Sequence, residues 1–206
     1  MYNSNIKTSD LINSITNEAD ISISIPVSFL IRTINTVEQF IYTEILNEYV
    51  STTINYDEIS SENAIDLEAL EIPANVETPL FDDVIKVFAD GDEIERAGAV
   101  AAYEFQDKNL YFDKYDGKIT LSLAMMPLEV TVIHRLKPML KTEANASSTY
   151  IALPTEYVEL MCAKLRGEMY KLANEDALSA KWLAEYNNQI ENFKVWAASR
   201  TARFGG

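Results

Sequence analysis

Cysteine and histidine are almost missing from this chain of 206 residues: Cys162 and His134 are the single examples of each. One cysteine excludes an intrachain disulfide, and one histidine excludes a His-rich metal site or a pair of histidine catalysts. Glycine is scarce too, and the six present form neither a Walker loop nor a dinucleotide fingerprint. Positive charge is in the minority, 17 Lys and Arg against 32 Asp and Glu, for a net charge of −15. That balance argues against a free protein that clamps nucleic acid through phosphate pairing, and against adsorption to an anionic membrane. No uninterrupted apolar run approaches the roughly 20 residues that span a bilayer. Met1-Tyr2-Asn3-Ser4-Asn5 lacks the positive region and apolar run of a signal peptide. The expectation is a soluble protein that stays where it is made. What is present suffices for a core: 48% of residues are hydrophobic, enough for one domain or a small domain with an insertion.

The pattern of apolar residues divides the chain into three parts. Thr8-Ser9-Asp10 supplies N-cap candidates for a short helix ending near Asn17. Ser24 and Pro26 open a longer helix whose Leu30, Ile34, Val37, Ile41 and Ile45 repeat at helical spacing. From about Tyr56 the period changes. Ile65-Asp66-Leu67-Glu68-Ala69 alternates as a half-buried strand, and Val84-Ile85-Lys86-Val87-Phe88 is a second strand with Asp90-Gly91-Asp92 as its turn. Leu110 to Leu123 has the signature of a hairpin turning at Asp116-Gly117, and Val130 to His134 is a further strand. Ala97 to Phe105 fits helix or strand equally. Short strands with Asp-Gly turns imply an antiparallel sheet or small barrel. Leu140 to Thr149 reads as a mobile loop.

After that loop the helical period returns. Thr155 is placed to cap a helix carrying Val158, Met161, Leu165, Met169 and Leu172 on one face. Asn174-Glu175-Asp176 breaks it and caps the next, which carries Trp182, Tyr186, Ile190, Phe193 and Ala197. So short a connection forces an antiparallel helical hairpin. The predicted class is α+β: an antiparallel helical bundle built from both chain ends, with an inserted antiparallel β-rich region. The predicted parts are bundle helices over 1–55, a β-rich insertion with its mobile loop over 56–149, the helical hairpin over 150–198, and a flexible tail over 199–206.

No residue set converges on chemistry. His134 lies in a strand, where a structural or surface role outweighs general-base work. Cys162 lies among Leu160, Met161 and Ala163 and reads as a small buried apolar side chain. Asp90-Gly91-Asp92-Glu93 hints at calcium, but the glycine is misplaced and no glutamate stands at the twelfth loop position. Acidic pairs such as Asp82 and Asp83 arise by chance among 32 acids, and Asn145-Ala146-Ser147 is a glycosylation sequon without a secretory signal. The expectation is a protein that is not an enzyme, with no catalytic, cofactor or metal site.

Several stretches together carry a resemblance. They are the helix from Ile25 to Tyr49 with Ile34-Asn35 and Phe40-Ile41-Tyr42, the strand and turn Val84 to Gly91, Gly117-Lys118-Ile119-Thr120-Leu121, and Ala152-Leu153-Pro154-Thr155-Glu156-Tyr157 before the helical hairpin. In this order and chain length they resemble the head-to-tail connector (adaptor, or head completion) proteins of tailed bacteriophages. The resemblance implies a non-enzymatic virion protein of the neck, made in the host cytoplasm. Such proteins form a dodecameric ring that binds the portal protein, extends the DNA channel, lets DNA pass without specific binding and gives tail or neck proteins an attachment site. It further implies that the C-terminal segment docks on the portal, which assigns portal docking to Arg200, Arg203, Phe204, Gly205 and Gly206. The chain departs from compact members in its acidic stretch from Thr52 to Thr78, an extra β element or a tail-contacting elaboration. Two other readings stay open: another tail or neck completion protein, and a small non-viral α+β binding module.

Overall fold

A computed structural model describes residues 4–19, 21, 23–55, 64–72, 76–96, 111–115, 118–121 and 129–204. The chain forms two compact units, one from Met1–Leu46 with Pro138–Gly206, the other from Asn47–Lys137. The class is α+β, with helices at both ends of the chain and strands between. The boundaries differ from the expected 55/56 and 149/150. Tyr49–Asn55 is strand β1 rather than helix, because Val50, Thr52, Thr53 and Ile54 crowd a helical turn and suit a pleated edge.

In the helical unit, α1 spans Thr8–Glu18 and α2 spans Val27–Phe40. The cap expected from Thr8-Ser9-Asp10 is not made. Lys7 takes the N-cap position without a side-chain bond, and Thr8 is buried inside the helix. Its hydroxyl instead lies 3.2 Å from the Thr149 carbonyl and 3.1 Å from the Thr149 hydroxyl. Pro26 stands at the N-cap of α2, and of the expected positions Leu30, Ile34, Val37 and Ile41 are buried while Ile45 is half-buried. The helix does not run on as regular α to Tyr49. Ile41–Leu46 widens to π turns, and Asn47 at φ 47° then leaves it in the left-handed region that asparagine tolerates.

Helices α3 (Val158–Leu172) and α4 (Asp176–Phe204) form the expected hairpin. Asn174 at φ 59° ends α3, with Glu175 N–H donating to the Tyr170 carbonyl at 2.9 Å and Asn174 N–H to Lys171 at 3.2 Å. Those two bonds satisfy the Tyr170 and Lys171 carbonyls in the last turn of α3. The Thr155 cap is not made either: Thr155–Tyr157 forms a tight turn entered through Pro154, and Tyr157 holds the N-cap of α3 without a side-chain bond. The two chain ends also meet. Ser4 N–H donates to the Ile151 carbonyl, Ile151 N–H to Ile6, and Thr8 N–H to Thr149.

The β-rich unit is one sheet in the order β1-β7-β3-β4-β5-β6-β2. Its strands are β1, β2 (Ala64–Asp66), β3 (Val84–Ala89), β4 (Asp92–Arg96), β5 (Tyr111–Tyr115), β6 (Lys118–Leu121) and β7 (Glu129–Arg135). Every pairing is antiparallel except the two-residue link between β4 and β5. The predicted strand at Ile65 is shorter than its alternation suggests. The Asp66 carboxylate accepts the Glu68 N–H and turns Leu67–Ala69 out of the sheet. Asp90 at φ 51° and Gly91 at φ 91° make the two-residue hairpin that Asp-Gly predicts. Val84, Val87, Ala89, Ile94, Ile119, Leu121, Val130 and Val132 build the core of this unit with Phe81, Ile65 and Leu67. The turn expected at Asp116-Gly117 and the ambiguous Ala97 to Phe105 lie outside the described residues.

Candidate functional site

The 29 residues of α4 make a rod of about 43 Å, against about 22 Å for the 15 of α3. Ser179, Leu183, Tyr186, Ile190, Phe193 and Ala197 alternate at intervals of four and three, the spacing that keeps one stripe on a neighbouring helix. Close approach at the connected end depends on Gly167. A Cβ there would lie 2.7 Å from Leu183 Cδ2, and the Ser179 hydroxyl donates to the Gly167 carbonyl at 2.9 Å. At the far end, Tyr157 meets Phe193 edge-on at 4.9 Å and Trp196 at 5.2 Å, with Phe193 and Trp196 5.1 Å apart. Tyr157 immediately precedes α3, so residues of α4 beyond that aromatic cluster outrun their partner helix.

Those outrunning residues include Arg200, Arg203 and Phe204. The expected flexible tail is corrected over residues 199–204, which continue α4. The reason is local: Ala198, Arg200, Ala202 and Arg203 are good helix formers, no Gly or Pro intervenes before Gly205, and arginine suits the negative end of the helix dipole. Three of the five docking candidates thus lie in the last turns of one helix. Gly205 and Gly206 lie outside the described residues.

A second constellation was not foreseen. Glu38 and Lys141 are buried together as an ion pair. The other Glu38 oxygen accepts the Ala152 N–H at 2.8 Å. One turn earlier, the Asn35 side chain donates to the Lys141 carbonyl and accepts the Lys141 N–H, both at 2.9 Å. Burial pushes the Glu38 carboxyl above its ordinary range, with the attraction of Lys141 opposing. The segment read as a mobile loop is therefore fixed. Asn145 adds to this, accepting the Thr142 N–H at 2.7 Å and donating to the Leu140 carbonyl at 3.1 Å. The sequence signal was a glutamate inside the apolar stripe of Ile34, Val37 and Ile41.

The isolated titratable residues stay apart. His134 is buried in β7, its Nδ1 3.1 Å from the Arg135 carbonyl oxygen. Cys162 is buried on α3, and burial, together with the charge of Glu159, pushes its thiol up to about 12, so it stays protonated. Asp83 is buried against Lys137 at 2.5 Å while Asp82 is exposed, so the pair shares no site. Glu93 pairs with Lys86 at 2.8 Å, and Asp90 accepts the Glu129 N–H at 3.0 Å. Among the described residues no three of His, Cys, Asp and Glu gather as a metal site.

Arg166 ties the helices from outside. It bonds Glu159 at 2.8 Å and Glu18 at 2.7 Å, and its guanidinium lies 4.7 Å from the Trp182 ring centre. No family model and no curated protein matches the sequence.

Proposed function

We propose that this chain is a structural virion protein, a ring-forming head-to-tail adaptor in the neck of a tailed bacteriophage. In this reading about twelve copies bind the portal protein, extend the DNA channel and provide the attachment site for tail or neck proteins, after synthesis in the host cytoplasm. The observation that carries it is the outrunning end of α4. A helix about twice as long as the one it pairs with ends in two arginines and a phenylalanine, in a chain of net charge −15. A preformed helix sacrifices less entropy on docking than a coil. Arg200 and Arg203 suit carboxylates or helix-end carbonyls, and Phe204 suits an apolar pocket, which is the chemistry assigned to the portal contact. The α+β build agrees with the resemblance, and net acidity suits a passage through which DNA slides without binding.

The test is truncation after Ala198. The aromatic cluster and the stripe through Ala197 remain, so circular dichroism should report a folded protein with only the end of α4 missing. DNA-filled heads should then fail to take up the protein, and Phe204→Ala alone should weaken uptake by about 2 kcal/mol per subunit. Assembly of the truncated protein onto portals at wild-type levels would sink the docking assignment. Electron microscopy of labelled virions separates an adaptor from another tail or neck completion protein by position. A non-viral α+β binding module would never appear there.

A further inference from the structure

On the β-rich unit a groove of about 520 Å³ opens between the turn after β2 and the segment entering β3. Leu67, Pro79 and Phe81 line it as buried side chains, while Leu80 stands 68% exposed. Glu68 and Asp82 line the same groove and are exposed. The exposure of Leu80 is built in by the backbone. The buried Asp83 carboxylate accepts the Leu80 N–H at 3.0 Å and pairs with Lys137, and the tight turn Phe81–Asp83 follows at once. Phe81 is thereby turned into the core and its neighbour Leu80 out of it. A leucine held outward beside a groove loses apolar burial that a covering partner would restore.

We propose that this groove docks a segment of a partner protein bearing a bulky apolar residue flanked by Lys or Arg. It rests on the adaptor reading, in which that partner is a tail or neck protein and the acidic stretch ending near Thr78 is its contact. Charge complementarity selects the occupant. The apolar residue covers Leu80 and the floor at Leu67 and Phe81, and the flanking cations meet Glu68 and Asp82. Nucleic acid has the wrong sign for such a rim. A second copy of this chain brings a net charge of −15, and in the adaptor reading its Arg200, Arg203 and Phe204 are already engaged by the portal.

Full-length protein is titrated by fluorescence anisotropy with a labelled short peptide that holds one Phe between arginines. Saturable binding is expected, weakened about tenfold by Leu80→Ser, weakened similarly by Glu68→Lys with Asp82→Lys, and reduced by added salt. A peptide with Glu in place of Arg should not bind. All substitutions fall on exposed side chains, and unchanged circular dichroism confirms folding. Absent binding, or binding indifferent to Leu80→Ser, overturns the proposal. So does self-association of the free protein that Leu80→Ser abolishes, which would make the occupant a second copy. Peptide binding by a protein that never joins portals would leave the groove standing and remove the adaptor reading. Normal assembly without peptide binding would do the reverse.

Discussion

Lys141→Met isolates what the buried ion pair contributes to the helical unit. Methionine keeps most of the lysine stem, so packing changes little. The Glu38 carboxyl keeps the Ala152 N–H as donor and loses its cation. Removing one partner of a buried pair costs about 3–5 kcal/mol, because the remaining charge is stranded out of water. The loss depends on pH with a definite sign. Burial already raises the Glu38 carboxyl above its ordinary 4.5, with Lys141 opposing. A group whose folded value is raised contributes most below its unfolded value and loses that contribution as pH rises through the folded one. Without Lys141 the folded value climbs further, so the variant suffers most in alkaline solution. Both tryptophans, Trp182 and Trp196, lie in α4, so urea unfolding followed by tryptophan fluorescence reads this unit. The expected loss is the full 3–5 kcal/mol at about pH 8, falling as the pH approaches 4.5. A loss under about 1 kcal/mol, or one equal at both ends of that range, would refute the argument.

Gly167→Ala should destabilise the same unit by about 1–3 kcal/mol through overpacking, since the new Cβ meets Leu183 at 2.7 Å. Leu183→Ala in that background should recover part of the loss, and urea midpoints check both. Cys162 should resist a thiol reagent in the native protein at neutral pH and react fully once unfolded, because burial holds its thiol near 12. Fast labelling of the folded chain would contradict its placement.

Regular periods were the legible part. The part of the α4 stripe through Tyr186, Ile190, Phe193 and Ala197, the helical spacing of Leu30, Ile34 and Val37, and the Asp-Gly hairpin after β3 all follow from rules that act within a few residues. What escaped depends on partners distant in sequence. Thr8 looked like a cap because hydroxyls cap helices, yet its hydroxyl bonds Thr149, 141 positions away. Leu140 to Thr149 looked mobile because it is small and polar, yet Asn35 and Glu38, more than 100 positions earlier, hold it. β1 was missed because its strand character is realised only by pairing with β7, from Tyr49 opposite Arg135 to Asn55 opposite Glu129. The end of α4 erred the other way. Terminal glycines suggested a coil, while the six residues before them keep the helix.

The division into an interrupted helical unit and a continuous β-rich one sets an order of events during synthesis. Asn47–Lys137 contains every described strand together with its strand partners, so that unit can close once Lys137 is clear of the ribosome. Helices α1 and α2 emerge earlier, but their buried partners at Lys141, Thr149 and Ala152 do not yet exist as folded chain. Until those partners arrive, Leu30, Ile34 and Val37 lack the later segment that buries them in the finished unit. Helices α1 and α2 are therefore made well before the residues that hold them, and the span in which they wait is the length of the inserted sheet.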